Sequence, residues 1–277
     1  MKYSRNMIVK KEMSLMDFLL QTYNRKNAKN LLKYKQVYVN SKPVSQYDWP
    51  LKTGDIVEIS KKENTVLDII YEDDEFIVIN KPSGLLSMSA GSEKEKTAYH
   101  QVSEYVKTKN RNNKIYIVHR LDRETSGIIM FCKNRKIRDL LQERWNDLVQ
   151  ERGYVAIVEG KLEKSQGTLK NYLAENKSQY VYVTGQDKGK LAVTHYQVMK
   201  CFQHYCLVQV NLDTGRKNQI RVQFSHIHHP ITGDKKYGAK TNLVKRLALH
   251  ANRFGFIHPL TKKHYVFETP VPFDLKR

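Results

Sequence analysis

The chain has 277 residues, with 48 Lys or Arg against 28 Asp or Glu and a formal net charge of +20. That surplus points to a polyanionic partner such as nucleic acid, and a hydrophobic content of 40% supports a packed core and excludes a disordered basic tail. Met1 to Lys11 is basic but too poor in apolar residues for a signal peptide, and no run reaches the roughly 18 apolar residues of a membrane span, so a cytoplasmic protein without membrane attachment is expected.

Length suggests about two domains. Within residues 1–60, Ser14 and Asp17 form a capping-box pattern ahead of Leu15, Phe18 and Leu19 at helical spacing. A second helix is predicted from about Arg25 to Tyr34, with Ala28, Leu31 and Leu32 on one side and Arg25, Lys26, Lys29 and Lys33 on the other. The alternating strand Val37 to Val39 follows, then a turn at Asn40-Ser41-Lys42-Pro43 and a closing strand from Ile56 to Ile59. A charged helix face is commonly just solvated, but in a small unit without catalytic residues inside a basic protein it suits phosphate binding. The order of elements resembles the alpha-L RNA-binding module. Lys35 and Ser41 stand where that module usually has glycine, and Asn24 stands where it often has serine. A non-glycine residue in a left-handed turn costs roughly 1–2 kcal/mol, so the turn at Lys35 is expected to differ in detail.

Residues 61–65, Lys-Lys-Glu-Asn-Thr, read as a polar linker, and 66–277 as one further domain. Its strand-like runs are Val66 to Ile70 and Phe76 to Ile79, before a turn at Lys81-Pro82-Ser83-Gly84. Ile137, Leu140, Leu141, Arg144 and Leu148 mark an amphipathic helix of about four turns. Later strands are predicted near 153–159, 168–173, 191–199 and 206–212, with a helix near 219–227. Strands outnumber helices and do not alternate with them. The expected class is therefore α+β, with a mixed, largely antiparallel sheet and a small N-terminal α/β domain.

Residues 119–127, His-Arg-Leu-Asp-Arg-Glu-Thr-Ser-Gly, lie between the apolar runs Ile115 to Val118 and Ile128 to Phe131. They set Asp122 between Arg120 and Arg123, and flanking cations favour an ionised carboxylate. Such a group can act as a nucleophile or base beside a phosphodiester held by the arginines, though a surface ion pair is the plainer reading of these residues alone. Residues 214–221, Thr-Gly-Arg-Lys-Asn-Gln-Ile-Arg, follow an apolar strand and open a helix with a buried stripe of Ile220, Phe224 and Ile227. Arg216 at the turn and Arg221 in the first helical turn could bring a second cation to Asp122. Cys132, Cys201 and Cys206 lack zinc-site spacing and are read as free thiols in a reducing compartment. His226, His228 and His229 lack the spacing of a metal-binding helix face and are read as structural or RNA-facing.

Residues 119–127 resemble the catalytic motif of the RluA family of pseudouridine synthases, and 214–238 its second signature. Arg152-Gly153-Tyr154-Val155-Ala156 resembles the strand carrying that family's active-site tyrosine, and Asn80 to Gly84, Arg246 to Ala251 and His258 to Thr261 fit its edges. One departure is Asn218, where the family usually has histidine; a local change and not a loss of activity is expected. The resemblance implies uridine-to-pseudouridine isomerisation in RNA with Asp122 as the essential carboxylate, in any of three roles: attack on C1′, attack on the ring, or removal of a ribose proton. It implies Tyr154 stacked on the uracil, Arg221 paired with the carboxylate, and Arg120 filling the space of a flipped nucleotide. No metal or organic cofactor and a monomeric enzyme are expected. An N-terminal RNA-binding module resembles members acting on large-subunit ribosomal RNA; a transfer RNA enzyme, a non-catalytic RNA-binding assembly factor and a base-excising glycosidase remain alternatives.

Overall fold

The computed structural model describes residues 3–33, 36–60, 67–89, 93 and 96–273, and the chain divides into two compact units after Val66. Lys35, Tyr34, Val66 and the linker 61–65 lie outside the described residues. The first unit contains β1 (Tyr3–Ile8), β2 (Met13–Ser14), α1 (Leu15–Leu20), α2 (Arg25–Lys33), β3 (Val37–Val39), β4 (Lys42–Pro43), β5 (Pro50–Leu51) and β6 (Ile56–Ser60). Its sheet runs β1-β6-β3-β4, so an N-terminal strand that the sequence pattern did not reveal forms one edge.

Local chemistry explains the helix starts. Ser14 Oγ accepts the Asp17 backbone N–H at 3.2 Å and donates to the Asp17 carboxylate at 2.7 Å. Asn24 accepts the Asn27 N–H at 2.9 Å, doing for α2 what a serine would do. Ala28 and Leu32 are buried with Leu15, Leu19, Val37 and Val57, while Arg25, Lys26, Lys29 and Lys33 are exposed. Asn40 and Ser41 both have positive φ, 49° and 64°, so Ser41 takes the left-handed turn without glycine. Asn40 steadies that turn by donating to Asp55 and accepting from Ile56 N–H, each at 2.9 Å.

The second unit contains β7 (Ile69–Glu72), β8 (Phe76–Lys81), α3 (Ala98–Lys109), β9 (Tyr116–Ile117), β10 (Ser126–Cys132), α4 (Arg135–Glu143), α5 (Trp145–Leu148), β11 (Val149–Glu159) and β12 (Gln166–Glu175). It continues with β13 (Val181–Thr184), β14 (Lys190–Cys201), β15 (Tyr205–Leu212), α6 (Gln219–His226), a 3-10 turn (Lys235–Tyr237), β16 (Leu249–Ile257) and β17 (His264–Glu268). The sheet order is β13-β12-β14-β15-β11-β16-β10-β8-β7, with β17 on β16 and β9 on β10. Among the strand pairs of its described residues only β10–β16 is parallel, so the sheet is mixed and largely antiparallel.

Burial on two sides explains the continuous apolar runs of β8 and β10. Ile77, Ile79, Ile129 and Phe131 pack with Ala98, Val102 and Val106 of α3. The alternate residues Phe76, Val78, Ile128 and Met130 pack with Ile137 and Leu141 of α4. The helix predicted through Leu148 is broken at Arg144, whose φ and ψ of −107° and 34° leave the helical region.

The cysteines require a correction. Cys201 and Cys206 are directly opposed across the β14–β15 hairpin and form a disulfide, leaving only Cys132 free among the three. A separation of five is what a short hairpin turn needs to bring two strand positions face to face. The argument for a reducing compartment from unpaired cysteines therefore falls away. No helix among the described residues is long and apolar enough to cross a membrane.

Candidate active site

The loop from β9 to β10 carries residues 119–125, and its backbone is held by the segment after β8. Lys81 Nζ donates to the carbonyls of Pro82, Leu85 and Arg123 at 3.0, 2.7 and 3.1 Å. Gly84 N–H also donates to Arg123 O at 2.9 Å, and Ser83 Oγ to Glu124 O at 2.6 Å. Ser87 Oγ both accepts from Leu121 N–H and donates to Leu121 O, at 3.0 and 2.7 Å. With its neighbours' carbonyls occupied, Asp122 is left to project its carboxylate. Lys81 is wholly buried, and burial lowers its pKa to about 8 despite the opposing pull of Asp122 and Glu124.

On the other side of the cleft, α6 is buried around nearly its whole circumference, unlike the single apolar stripe expected. Its polar residues are satisfied internally. Gln219 Oε1 accepts from Thr214 Oγ1 and Arg216 N–H at 2.8 and 2.9 Å, which locks the Thr-Gly-Arg turn to the helix start. Gln223 accepts from Thr194 at 2.6 Å and donates to the Leu169 carbonyl at 3.0 Å. Arg221 is thereby presented at a fixed height. Its Nη1 lies 3.8 Å from the nearer Asp122 oxygen.

That contact is not its principal one. Asp234, 1% exposed in its side chain, grips Arg221 bidentately at 2.7 and 2.8 Å. Asn218 accepts from Arg221 Nη1 at 3.0 Å and donates to the Tyr237 hydroxyl at 2.9 Å. Asn218 itself has φ 54°, and its backbone N–H helps to hold the Asp122 pKa down. The residue that replaces the expected histidine thus braces Arg221 beside Asp122.

Electrostatics differ from the expectation drawn from the two flanking arginines. Burial raises the Asp122 pKa, while Arg221, Arg120, Lys81 and the Asn218 N–H pull it down, in that order. Arg123 takes no part, pairing instead with Glu93 at 2.6 Å. Asp122 keeps 23% of its side-chain surface, so it is desolvated by its surroundings yet reachable from outside. Arg120 is exposed.

Tyr154 stands where the β11–β16 ladder is irregular, with Ala251 and Asn252 opposite this one residue. Its ring lines a recess with His119, Ile128, Arg152 and Phe254. Burial and the charge of Asp122 push its phenol up to about 12, so it is neutral. His119 stacks on Phe254 at 4.6 Å, accepts the Met130 N–H at 3.1 Å, and is held neutral by burial, its pKa lowered to about 4.

Asp122, Arg221 and Tyr154 are therefore brought together, with Arg120 at the rim; Arg25, Lys26, Lys29 and Lys33 belong to the other unit. Lys81, Asp234 and the Asn218 N–H are site groups that sequence reasoning missed. Asp234 had one signal, its place in the glycine turn after α6. Among the described residues no group of side chains could hold a metal ion; His226 and His228 are exposed, and His229 bonds the Glu159 carbonyl at 2.7 Å. A larger concavity of about 500 Å³ opens elsewhere, beside β7, but Glu72 there is already paired with Lys109 and Lys133 at 2.8 Å each.

The sequence pattern of the RNA pseudouridylate synthase family matches residues 75–226. The uncharacterized RNA pseudouridine synthase YhcT of Bacillus subtilis is 34% identical over 256 residues, covering 88% of this chain and 84% of that protein. The ribosomal large subunit pseudouridine synthase D of Buchnera aphidicola from Acyrthosiphon pisum is 32% identical over 285 residues, covering 93% and 90%. In fold, the structure matches human RNA Pseudouridylate Synthase Domain Containing 4 with a TM-score of 0.62 at 23% identity, over 76% of this chain and 91% of that one.

Proposed function

Because the chain belongs to the RluA family of RNA pseudouridine synthases, and so is an RNA-modifying isomerase, we propose that it converts specific uridines of large-subunit ribosomal RNA, with Asp122 as the essential carboxylate. One observation carries the residue assignment. The Asp122 carboxylate is desolvated yet reachable, with Arg221 at 3.8 Å on one side and the Tyr154 phenol close enough to feel its charge on another.

The reaction breaks N1–C1′, turns the uracil and forms C5–C1′. C5 loses its proton and N1 gains one, so no electrons are exchanged with a second substrate. Attack on C1′, attack on the ring and removal of a ribose proton all require an ionised carboxylate beside the target nucleoside. Arg221 supplies much of the opposing charge while Asp234 fixes its orientation. The neutral phenol of Tyr154 offers an apolar face for the detached base without competing for a proton. The target must leave its stack to reach this depth, at a cost of a few kcal/mol that phosphate contacts must offset. The exposed basic face of α2 is suited to such contacts, which supports an RNA-binding role for the N-terminal unit.

The ribosomal target rests on the two-unit chain and on the large-subunit enzymes among its relatives. Mapping pseudouridine in total RNA from cells with and without the protein tests it. Sites lost from large-subunit ribosomal RNA support the proposal; sites lost from transfer RNA alone overturn the target.

A further inference from the structure

The edge of the catalytic sheet nearest Arg221 carries an aromatic surface that the reaction itself does not use. Along the β13 edge the residues alternate. Val181 and Val183 turn inward to pack with Leu173, Ala192, Val222 and Tyr237. Tyr180, just before the strand, and Tyr182 within it are 38% and 41% exposed. A tyrosine on an edge strand is ordinary; the placement of these two is not.

Tyr180 packs against Tyr237 with ring centroids 5.1 Å apart, and Tyr237 in turn lies 5.1 Å from the Arg221 guanidinium carbon. Arg221 is the residue 3.8 Å from Asp122. A short series of contacts therefore leads from the cleft to an exposed ring. Lys236 Nζ stands 5.7 Å from the rings of Tyr180 and Tyr237 and donates to the Gln179 carbonyl at 3.1 Å. The tip that presents Tyr180 is preformed: Asn176 N–H donates to Tyr180 O at 3.0 Å, and the Asn176 side chain accepts the Tyr180 N–H at 2.9 Å. An ordered ring with a cation beside it, in a chain of net charge +20, is suited to a base and its phosphate.

We propose that Tyr180, with Lys236 beside its ring and Tyr182 exposed further along the same strand edge, forms a stacking subsite for a nucleobase of the RNA strand flanking the uridine that enters the Asp122 cleft. The proposal deepens the pseudouridine synthase reading and rests on it for the location of the target base. Stacking on an aromatic face is tolerant of sequence, so the subsite would hold the strand without choosing the site.

The test uses the full chain and two probes of equal length: a single-stranded oligouridylate, and the same strand with abasic sugars everywhere except the central uridine. Affinities are measured by fluorescence anisotropy at one salt concentration, because phosphate contacts depend on salt. The wild type should bind the base-bearing strand more tightly. The double variant Tyr180→Ala, Tyr182→Ala should lose about fivefold or more of that preference, as expected for one stacked base, with its affinity for the abasic strand unchanged. The Tyr180→Phe, Tyr182→Phe variant should retain the preference. An alanine variant that keeps the full preference overturns the proposal, as does a wild type with no preference or an equal loss for both probes. Because the readout is binding, Asp122→Asn can be assayed separately for pseudouridine formation, and failure of the catalytic reading is distinguishable.

Discussion

Gly127→Ala should disable the site through packing alone, without touching a reacting group. Gly127 is the second residue of β10, immediately after the loop bearing Asp122, with φ +117°. A Cβ there would lie 2.2 Å from the Ala251 carbonyl oxygen and 2.6 Å from its nitrogen, and both are backbone atoms that cannot rotate aside. A left-handed backbone costs an L residue roughly 1–2 kcal/mol, and forcing β10 away from β16 adds about 1–3 kcal/mol. Gly84 supplies the control. Its φ is +85°, but nothing lies within 4 Å of the added carbon, so Gly84→Ala should cost only the backbone part. The difference, about 1–3 kcal/mol, corresponds to roughly 2–12 °C in melting temperature for a unit of this size. Thermal unfolding followed by circular dichroism measures it, alongside pseudouridine formation. Equal melting temperatures for the two variants would refute the packing argument.

Raising the Asp122 pKa by burial moves the acid limb of the pH–rate profile above that of an ordinary aspartate, and Arg221→Gln should move it higher by removing the largest opposing charge; an unmoved limb contradicts this. The linkage has a definite sign. Since the folded state holds the Asp122 proton more tightly than the unfolded state, stability falls as pH rises through that window and stays reduced above it, so Asp122→Asn should melt higher than wild type at neutral pH. Lys81 has the opposite slope: its folded pKa of about 8 lies below the ordinary 10.5, and stability should rise with pH between those values by on the order of 3 kcal/mol, a slope that Lys81→Met should abolish in denaturant titrations. Replacing Arg25, Lys26, Lys29 and Lys33 with glutamine should weaken RNA binding and flatten its logarithmic salt dependence by up to about 3, at 0.7 per phosphate contact on a single strand. Unchanged salt dependence would remove α2 from the RNA interface.

Much of the candidate site was legible because its residues lie in short motifs between apolar runs. The run Ile128 to Phe131 stood out since both faces of β10 are covered, and that located the loop bearing Asp122. Other parts were hidden for physical reasons. In α3 only Ala98, Val102 and Val106 are buried, a stripe too sparse among polar residues to mark a helix. Lys81 ends a strand and would ordinarily be assigned to solvent; two carbonyls from the turn that follows it and one from the Asp122 loop make it a buried tether. Arg221 had two plausible carboxylate partners, and only the coordinates reveal that Asp234 holds it bidentately while Asp122 stands further off. The direction of the Asp122 shift could not be read from neighbouring charges, because it depends on how much water the cleft excludes.

The most direct measurement is the release of tritium from C5 of uridines in RNA incubated with wild-type protein and with Asp122→Asn, since C5 loses its hydrogen when it bonds to C1′. The wild type should release the label. The variant should bind the same RNA with comparable affinity and release none above background, and release at the wild-type rate would contradict the assignment of this carboxylate.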